Sequence, residues 1–391
     1  MIDKVKERAD HYFSKLVEIR KHLHQHPELS FEENKTADFV FSTLKSVGLH
    51  PERMAKTGVV AMINGGHSGP VIALRADLDA LPIQEMNDVP YKSLNNGVMH
   101  ACGHDVHTAS LLGAAMILND LKADLSGSIK LIFQPGEEKL PGGASIMIKE
   151  GVLENPKPAS IVGQHVFPEL EVGKVGFRSG MYMASCDEIH ITVKGKGGHG
   201  AMPHLAIDPV LISSHLVIAL QQVVSRKSNP LIPSVLSIGK FIANGATNVI
   251  PDQVKLEGTF RTFDDEWRIE AHQEIMKIAE NLVSSMGGTC DIDIKKGYPF
   301  VYNDEELTER SRLSAAKYLG EQNVVELPMR ATGEDFSFYT QAMPGTFYRL
   351  GVANAAKGIT HPVHSAHFDA DEEALRIGSG LMAWIAMNEL K

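Results

Sequence analysis

Cysteine is scarce in this chain, with three residues (Cys102, Cys186 and Cys290) among 391. An odd number scattered so widely builds no disulfide framework and suits a reducing compartment. Long apolar runs are missing too. The nearest candidate, PVLISSHLVIAL from Pro209, is broken by two serines and a histidine. A membrane span calls for roughly 18 unbroken apolar residues. The opening MIDKVKERADHYF is charged and lacks the apolar segment of a signal peptide. There is no surplus of positive charge: the net charge of −10 argues against nucleic acid or an anionic membrane surface as a partner. Internal repeats, low-complexity tracts, a P-loop, G-x-S-x-G and H-E-x-x-H are all absent. What remains is a soluble, cytoplasmic, ordinary globular composition, 43% hydrophobic and 22% charged.

A chain of 391 residues exceeds the size at which one core stops growing, so two domains are expected. Helical apolar spacing at Val5, Ala9, Tyr12, Phe13, Leu16 and Ile19 ends at Pro27. The short apolar runs VVAMI, VIALRA, IKLIF and SIVGQHV then read as strands, and TASLLGAAMILNDL as a helix. This alternation favours an α/β sheet with parallel strands. Near residue 184 the pattern changes. DEIHITVK alternates with period two, followed by an amphipathic helix (about Asp208–Ser225), strands SVLSIGKFI and QVKLEGTFRTF, a helix (about Asp265–Ser285) and CDIDIKKGY. Strand–helix–strand–strand–helix–strand is a ferredoxin-like α+β unit. The expectation is a discontinuous α/β domain, 1–183 and 298–391, with residues 184–297 inserted as a lid.

Polar residues collect at the predicted strand ends. RADLDALP places Asp77 and Asp79 after one strand, IFQPGEE places Glu137 and Glu138 after another, and VGQHVFP places His165 at the end of a third. MHACGHDVH, residues 99–107, adds Cys102, His104, Asp105 and His107 just before a helix. Ligands of open α/β sheets bind outside the carboxyl ends of the strands, so these segments can meet in one crevice. THPVHSAHFD offers His361, His364 and His367 as further ligands. Singly, each residue has a plain structural explanation. Together, thiolate, imidazole and carboxylate are the donors of transition-metal sites, and adjacent glutamates can divide ligation from base chemistry. A Cys102 nucleophile is disfavoured, because it would leave Glu137, Glu138 and His165 without a role. GKGGHG matches G-x-G-x-x-G, but AMPH follows instead of a helix, so no dinucleotide site is expected.

With RKHLHQHPELSFEE, RADLDALPI, MHACGHDVHTA, FQPGEE, GQHVFP, GKGGHGAMPH, TNVIPD, GTFRTF, GEDFS and HSAHFD in order, the chain resembles the di-metal amidohydrolases and metallopeptidases of aminoacylase and carboxypeptidase G. The similarity is to the branch of hippurate hydrolases, auxin–amino acid conjugate hydrolases and N-acetyl-diaminopimelate deacetylases. It implies a zinc-peptidase-like α/β catalytic domain with a ferredoxin-like lid that also dimerises. It also implies metal ligands Cys102, His104, Glu138, His165 and His364 for two Mn2+ or Zn2+ ions, and Glu137 as catalytic base. His199 would act from the lid on a neighbouring subunit's site, with Asn248 and Arg261 anchoring substrate. Distant relatives have His-x-Asp where this chain has Asp77-Leu78-Asp79, so Asp77, Asp79, Asp105 and His107 are expected to support ligands from behind. The implied reaction is hydrolysis of an N-acyl amino acid or dipeptide by a metal-bridging hydroxide whose proton Glu137 takes. The contrasting expectation is a non-catalytic metal-dependent binding protein on the same fold.

Overall fold

The computed structural model describes residues 1–391 as two compact units. The first comprises Met1–Tyr182, Tyr302–Met329 and Asp335–Lys391; the second comprises Met183–Val301 and Arg330–Glu334.

The first unit is built on an eight-stranded sheet. Its centre runs in the order Ser126–Gln134, His67–Asp77, Ser160–Glu171, Gly345–Ala353, and these neighbours are parallel. Its flanks are not: Gly58–Asn64 pairs antiparallel with Ser126–Gln134, and Val175–Phe177 pairs antiparallel with Gly345–Ala353. The sheet is therefore mixed: its centre has the parallel strands that the sequence pattern favours, and its flanks add antiparallel ones. Apolar runs identify buried strands but carry no record of strand direction.

Against this sheet lies the helix His104–Asp120, buried on every side from His104 to Leu118. The helices Ile2–Gln25 and Glu373–Glu389 complete the same core, through Leu16, Leu23, Leu381 and Ile385. Full burial of each such side chain contributes about 1.5–3 kcal/mol. The His104 helix is anchored here by packing, because its N-cap, Gly103, offers no side-chain cap.

The second unit follows the path β-α-β-β-α-β. Its four-stranded antiparallel sheet runs in the order Ser234–Ile242, Gln253–Thr262, Asp187–Lys194, Thr289–Lys296. The helices Pro209–Gln222 and Asp265–Ser285 cover one face through Ile212, Leu216, Ile275 and Ala279. Both start at an aspartate that caps the first turn: Asp208 Oδ1 accepts from Val210 N–H at 2.8 Å, and Asp264 Oδ1 from Trp267 N–H at 2.7 Å. Such caps contribute about 1 kcal/mol each. No helix of the chain is long and apolar enough to cross a membrane.

Candidate metal centre

The centre forms at the carboxyl ends of the parallel strands, where Asp77 closes one strand and Glu137 and Glu138 follow another. His165 lies within its strand rather than at the end, because Ser160–Glu171 continues in register with Gly345–Ala353. Gly103 makes the turn between Cys102 and His104. Its φ is +82°, and a Cβ there would lie 2.5 Å from Val166 Cγ2, so only glycine fits. Helix His104–Asp120 opens immediately afterwards, placing Asp105 and His107 on its first turn instead of in the preceding loop. His364 also adopts a left-handed φ, +63°, and its N–H donates to Ala101 O at 2.7 Å. This bond ties the loop of His364 to the segment just before Cys102.

These turns bring donor atoms together. The ligand atoms of Cys102, His104 and His165 lie within 4.8 Å of one another, as do those of Cys102, Glu138 and His364, and of His104, Glu137 and Glu138. Cys102 thus belongs to two triads. Cys102 Sγ and His165 Nε2 are 3.4 Å apart, and Glu138 Oε1 is 3.0 Å from His364 Nε2. That last approach lacks hydrogen-bond geometry, and Glu138 Oε1 and His104 Nε2 are buried without any hydrogen-bond partner. Leaving such atoms unpaired costs about 1–3 kcal/mol each. Sulfur, imidazole nitrogen and carboxylate oxygen converging in this way are the donor types that hold a divalent transition-metal ion.

Hydrogen bonds behind the donors set their tautomers. His165 Nδ1 faces Val166 O at 2.8 Å; a carbonyl only accepts, so the proton is on Nδ1 and Nε2 keeps its lone pair. His104 Nδ1 meets Asp79 Oδ1 at 3.2 Å, which turns Nε2 towards the other donors. Asp79 Oδ2 accepts from Ser30 Oγ at 2.6 Å and Glu138 N–H at 2.9 Å. His107 differs: its Nε2 accepts Val166 N–H at 2.9 Å and its Nδ1 donates to Asp77 Oδ1 at 2.6 Å. Both nitrogens are used, so His107 orients Asp77. Asp105 is bonded elsewhere: its carboxylate accepts at 2.8 Å from Arg20 Nε and from His24 Nδ1.

The electrostatics follow this geometry. Burial alone would lower His104, but Asp77 and Asp79 push it up to about 10. Burial and the neighbouring Arg349 keep His165 well below the usual imidazole range, so it is neutral. Burial, Glu138 and Glu137 push the Cys102 thiol well up. A thiol among carboxylates is a poor nucleophile, whereas a cation there would neutralise the carboxylates and stabilise the thiolate. Burial disfavours the Asp77 charge, yet His104, His107 and Arg75 hold its carboxyl well below the ordinary range. His100 is buried with neither ring nitrogen paired, and burial pushes it down to about 4.

Sequence reasoning missed the groups beneath the centre. Arg75, wholly buried, donates from Nη1 to Asp77 Oδ2 at 2.7 Å, from Nη2 to Asp335 Oδ1 at 2.7 Å and from Nε to Gln134 Oε1 at 2.9 Å. Its signal was available: an arginine inside the apolar run VIALRA must be paired. Arg20, bonded to Asp105, also reaches Asp369 Oδ1 at 2.7 Å, joining the first helix to the loop that carries His364.

His199, Asn248 and Arg261 belong to the second unit. The two-residue strand Gly198–His199 pairs with Val249–Ile250, and Gly200 N–H donates to Asn248 O at 2.8 Å. His199 Nδ1 accepts Ala201 N–H at 3.1 Å, leaving the ring proton on an exposed Nε2. Arg261 Nε donates to Thr259 Oγ1 at 3.0 Å. After GKGGHG comes a single 3-10 turn, Pro203–Leu205, instead of a helix opening on the last glycine.

The profile of Peptidase family M20/M25/M40 matches residues 73–388. A Geobacillus stearothermophilus protein named N-acyl-L-amino acid amidohydrolase is 45% identical over 78% of this chain and 82% of its own length. A Bacillus subtilis N-acetyl-L-cysteine deacetylase is 42% identical over 92% of this chain and 84% of its own. The crystal structure of a second Bacillus subtilis protein, described as a dinuclear metal binding peptidase of the M20 family, superposes with a TM-score of 0.84 at 37% identity, covering 97% of this chain and 99% of that one. The chain is a metal-dependent hydrolase of amide bonds and belongs to Peptidase family M20/M25/M40.

Proposed function

We propose that this chain hydrolyses the amide bond of N-acyl amino acids or dipeptides, with Cys102, His104, Glu138, His165 and His364 holding two divalent ions and Glu137 moving the proton. The observation that carries the reading is the overlap of the donor groups Cys102–His104–His165, Cys102–Glu138–His364 and His104–Glu137–Glu138, in which His104 Nε2 and Glu138 Oε1 are buried without a hydrogen-bond partner. When bound, the ions supply Lewis acidity and lower the pKa of water. Glu137, grouped within 4.8 Å with His104 and Glu138, accepts the proton of the attacking water and returns it to the leaving amine. His199 donates from Nε2 to the developing oxyanion. Arg261 pairs bidentately with the substrate carboxylate, and Asn248 adds a polar contact. Asp79 orients His104, and His107 holds Asp77. The names of the relatives support the N-acyl amino acid class.

Thiolate and imidazole favour Zn2+, while the carboxylates accept Mn2+; we infer that one of these two metals fills both positions. The second unit serves as a ferredoxin-like lid that dimerises in a cytoplasmic enzyme. Its β-α-β-β-α-β path supports this, as do the edge strand Ser234–Ile242, with Val235 and Phe241 exposed, and the exposed Leu211 and Ile218 of the helix Pro209–Gln222. The test is a panel of N-acyl amino acids and dipeptides assayed with protein stripped of metal and reconstituted with each ion. Glu137→Gln should keep its metal and lose several orders of magnitude in turnover. Unchanged turnover would overturn the reading.

A further inference from the structure

Glu33 lies at the N-cap of helix Asn34–Ser46, yet its side chain makes no cap to that helix. It points inward and is fully buried. Glu33 Oε1 accepts Gly136 N–H at 2.7 Å and Phe31 N–H at 2.8 Å, while Oε2 accepts Thr57 Oγ1 at 2.7 Å. Gly136 immediately precedes Glu137. On the other side, Glu138 N–H donates to Asp79 Oδ2, which Ser30 also holds. The turn carrying Glu137 is thus pinned at the residue before and the residue after it, both times by a buried carboxylate. A third contact closes the arrangement. Phe31 adopts a left-handed φ of +67°, uncommon for a bulky residue. Its ring covers Gly136, where a Cβ would lie 2.4 Å from Phe31 Cε1 and φ is +57°. Strain held at such a place needs surroundings that enforce it, and Glu33 bonds both the strained Phe31 and the Gly136 beneath its ring.

We propose that Glu33 is a positioning residue for Glu137: it fixes the Gly136 peptide, with Phe31 packed over it, so that the Glu137 carboxylate meets the attacking water. This rests on the reading of Glu137 as proton carrier. Glu33 touches no substrate and acts only through the turn.

The experiment measures kcat, KM and bound metal for the N-acyl amino acid that the parent enzyme hydrolyses fastest. Glu33→Ala should lower kcat about 100-fold with KM within about threefold and metal content unchanged. Glu33→Gln keeps an oxygen acceptor for both N–H groups, and its kcat should stay within about fivefold of the parent. In a Glu137→Gln background, Glu33→Ala should cause no further loss, because both act on one step. Parental kcat in Glu33→Ala, a loss confined to KM, or a further loss in the double variant overturns the proposal. If Glu33→Ala does not fold, Gly136→Ala replaces it. That Cβ meets Phe31, so kcat should fall, and adding Phe31→Gly should restore about tenfold of it; parental kcat in Gly136→Ala overturns the proposal. The two readings fail separately: an active Glu137→Gln removes the base itself, whereas an inactive Glu137→Gln beside a fully active Glu33→Ala removes only the clamp.

Discussion

Cys102 Sγ and His165 Nε2 face each other at 3.4 Å, one beside the Gly103 turn and the other on a central parallel strand. The His165 proton is committed to Val166 O on the far side of the ring. The facing nitrogen therefore presents a lone pair to sulfur, an arrangement that suits a shared cation. Reconstitution with Co2+ should produce a near-ultraviolet thiolate-to-cobalt charge-transfer band that Cys102→Ser lacks. Chelation should abolish activity, and Mn2+ or Zn2+ should restore it. A band that persists in Cys102→Ser would remove Cys102 from the ligand set.

His104 and His107 share the first helical turn and lie near the same carboxylates, but their hydrogen bonds separate them. His104 Nε2 is buried and unpaired, whereas both nitrogens of His107 are engaged. His104→Asn should remove at least one bound ion. His107→Asn should keep both, weakened about 10- to 100-fold, as for a group that orients a ligand's neighbour. Metal titration monitored by calorimetry distinguishes the two. Equal losses in both variants would make His107 a ligand.

Much of this architecture is legible in the sequence, for local reasons. The helix Asp265–Ser285 begins where Asp264 caps it, and SVLSIGKFI is a strand along its whole length. What stays hidden depends on distant pairing. Nothing in SIVGQHVFP shows that the strand continues past His165, because the continuation is imposed by Gly345–Ala353, far along the chain. Glu33, in the polar run SFEENK, reads as solvated; its burial depends on the Gly136 turn 103 positions away. Thiol, imidazole and carboxylate recurring after apolar runs point to a donor cluster, while the choice of Cys102, His104, Glu138, His165 and His364 within it comes from the family resemblance. The position of Arg75 inside VIALRA signals that it needs a partner, but its pairing with Asp335 is not readable, since such distant charge pairs carry no spacing rule.

The buried ion pair of Asp187 with Arg268 is expected, from its geometry, to make the second unit sensitive to acid. Asp187 is buried between Arg268, whose Nε donates at 2.8 Å, and His272 Nε2 at 2.7 Å, and it also accepts Gly297 N–H at 2.9 Å. Burial opposes its charge, but these partners hold the carboxyl down, from 3.8 to about 2. A carboxyl depressed on folding stabilises above its unfolded pKa, and that contribution is lost as pH falls through the folded value. The stake is about 2 kcal/mol, lost between about pH 4 and pH 2. Asp187→Asn leaves the buried Arg268 without its counter-charge and should cost about 3 kcal/mol at pH 7. The gap between variant and parent should narrow towards pH 2 in urea titrations. A gap independent of pH would refute this assignment.

The proposed oxyanion role of His199 has a test that also decides which subunit it serves. His199 Nδ1 is occupied by Ala201 N–H, so the exposed Nε2 carries the proton and can donate but not accept. A donor lost from a developing oxyanion costs about 100- to 1,000-fold in kcat, and His199→Ala should show that loss with bound metal unchanged. If His199 serves the partner subunit's site in a symmetric dimer, two inactive variants can complement. Mixing His199→Ala with Glu137→Gln yields heterodimers in which one site has an intact Glu137 from one protomer and an intact His199 from the other. Equal mixing with full exchange should restore about a quarter of parental activity. If His199 acts within its own subunit, every site in the mixture lacks one group and no activity returns. Size-exclusion chromatography of tagged protomers verifies the exchange, so that absent recovery with proven heterodimers assigns His199 to its own chain.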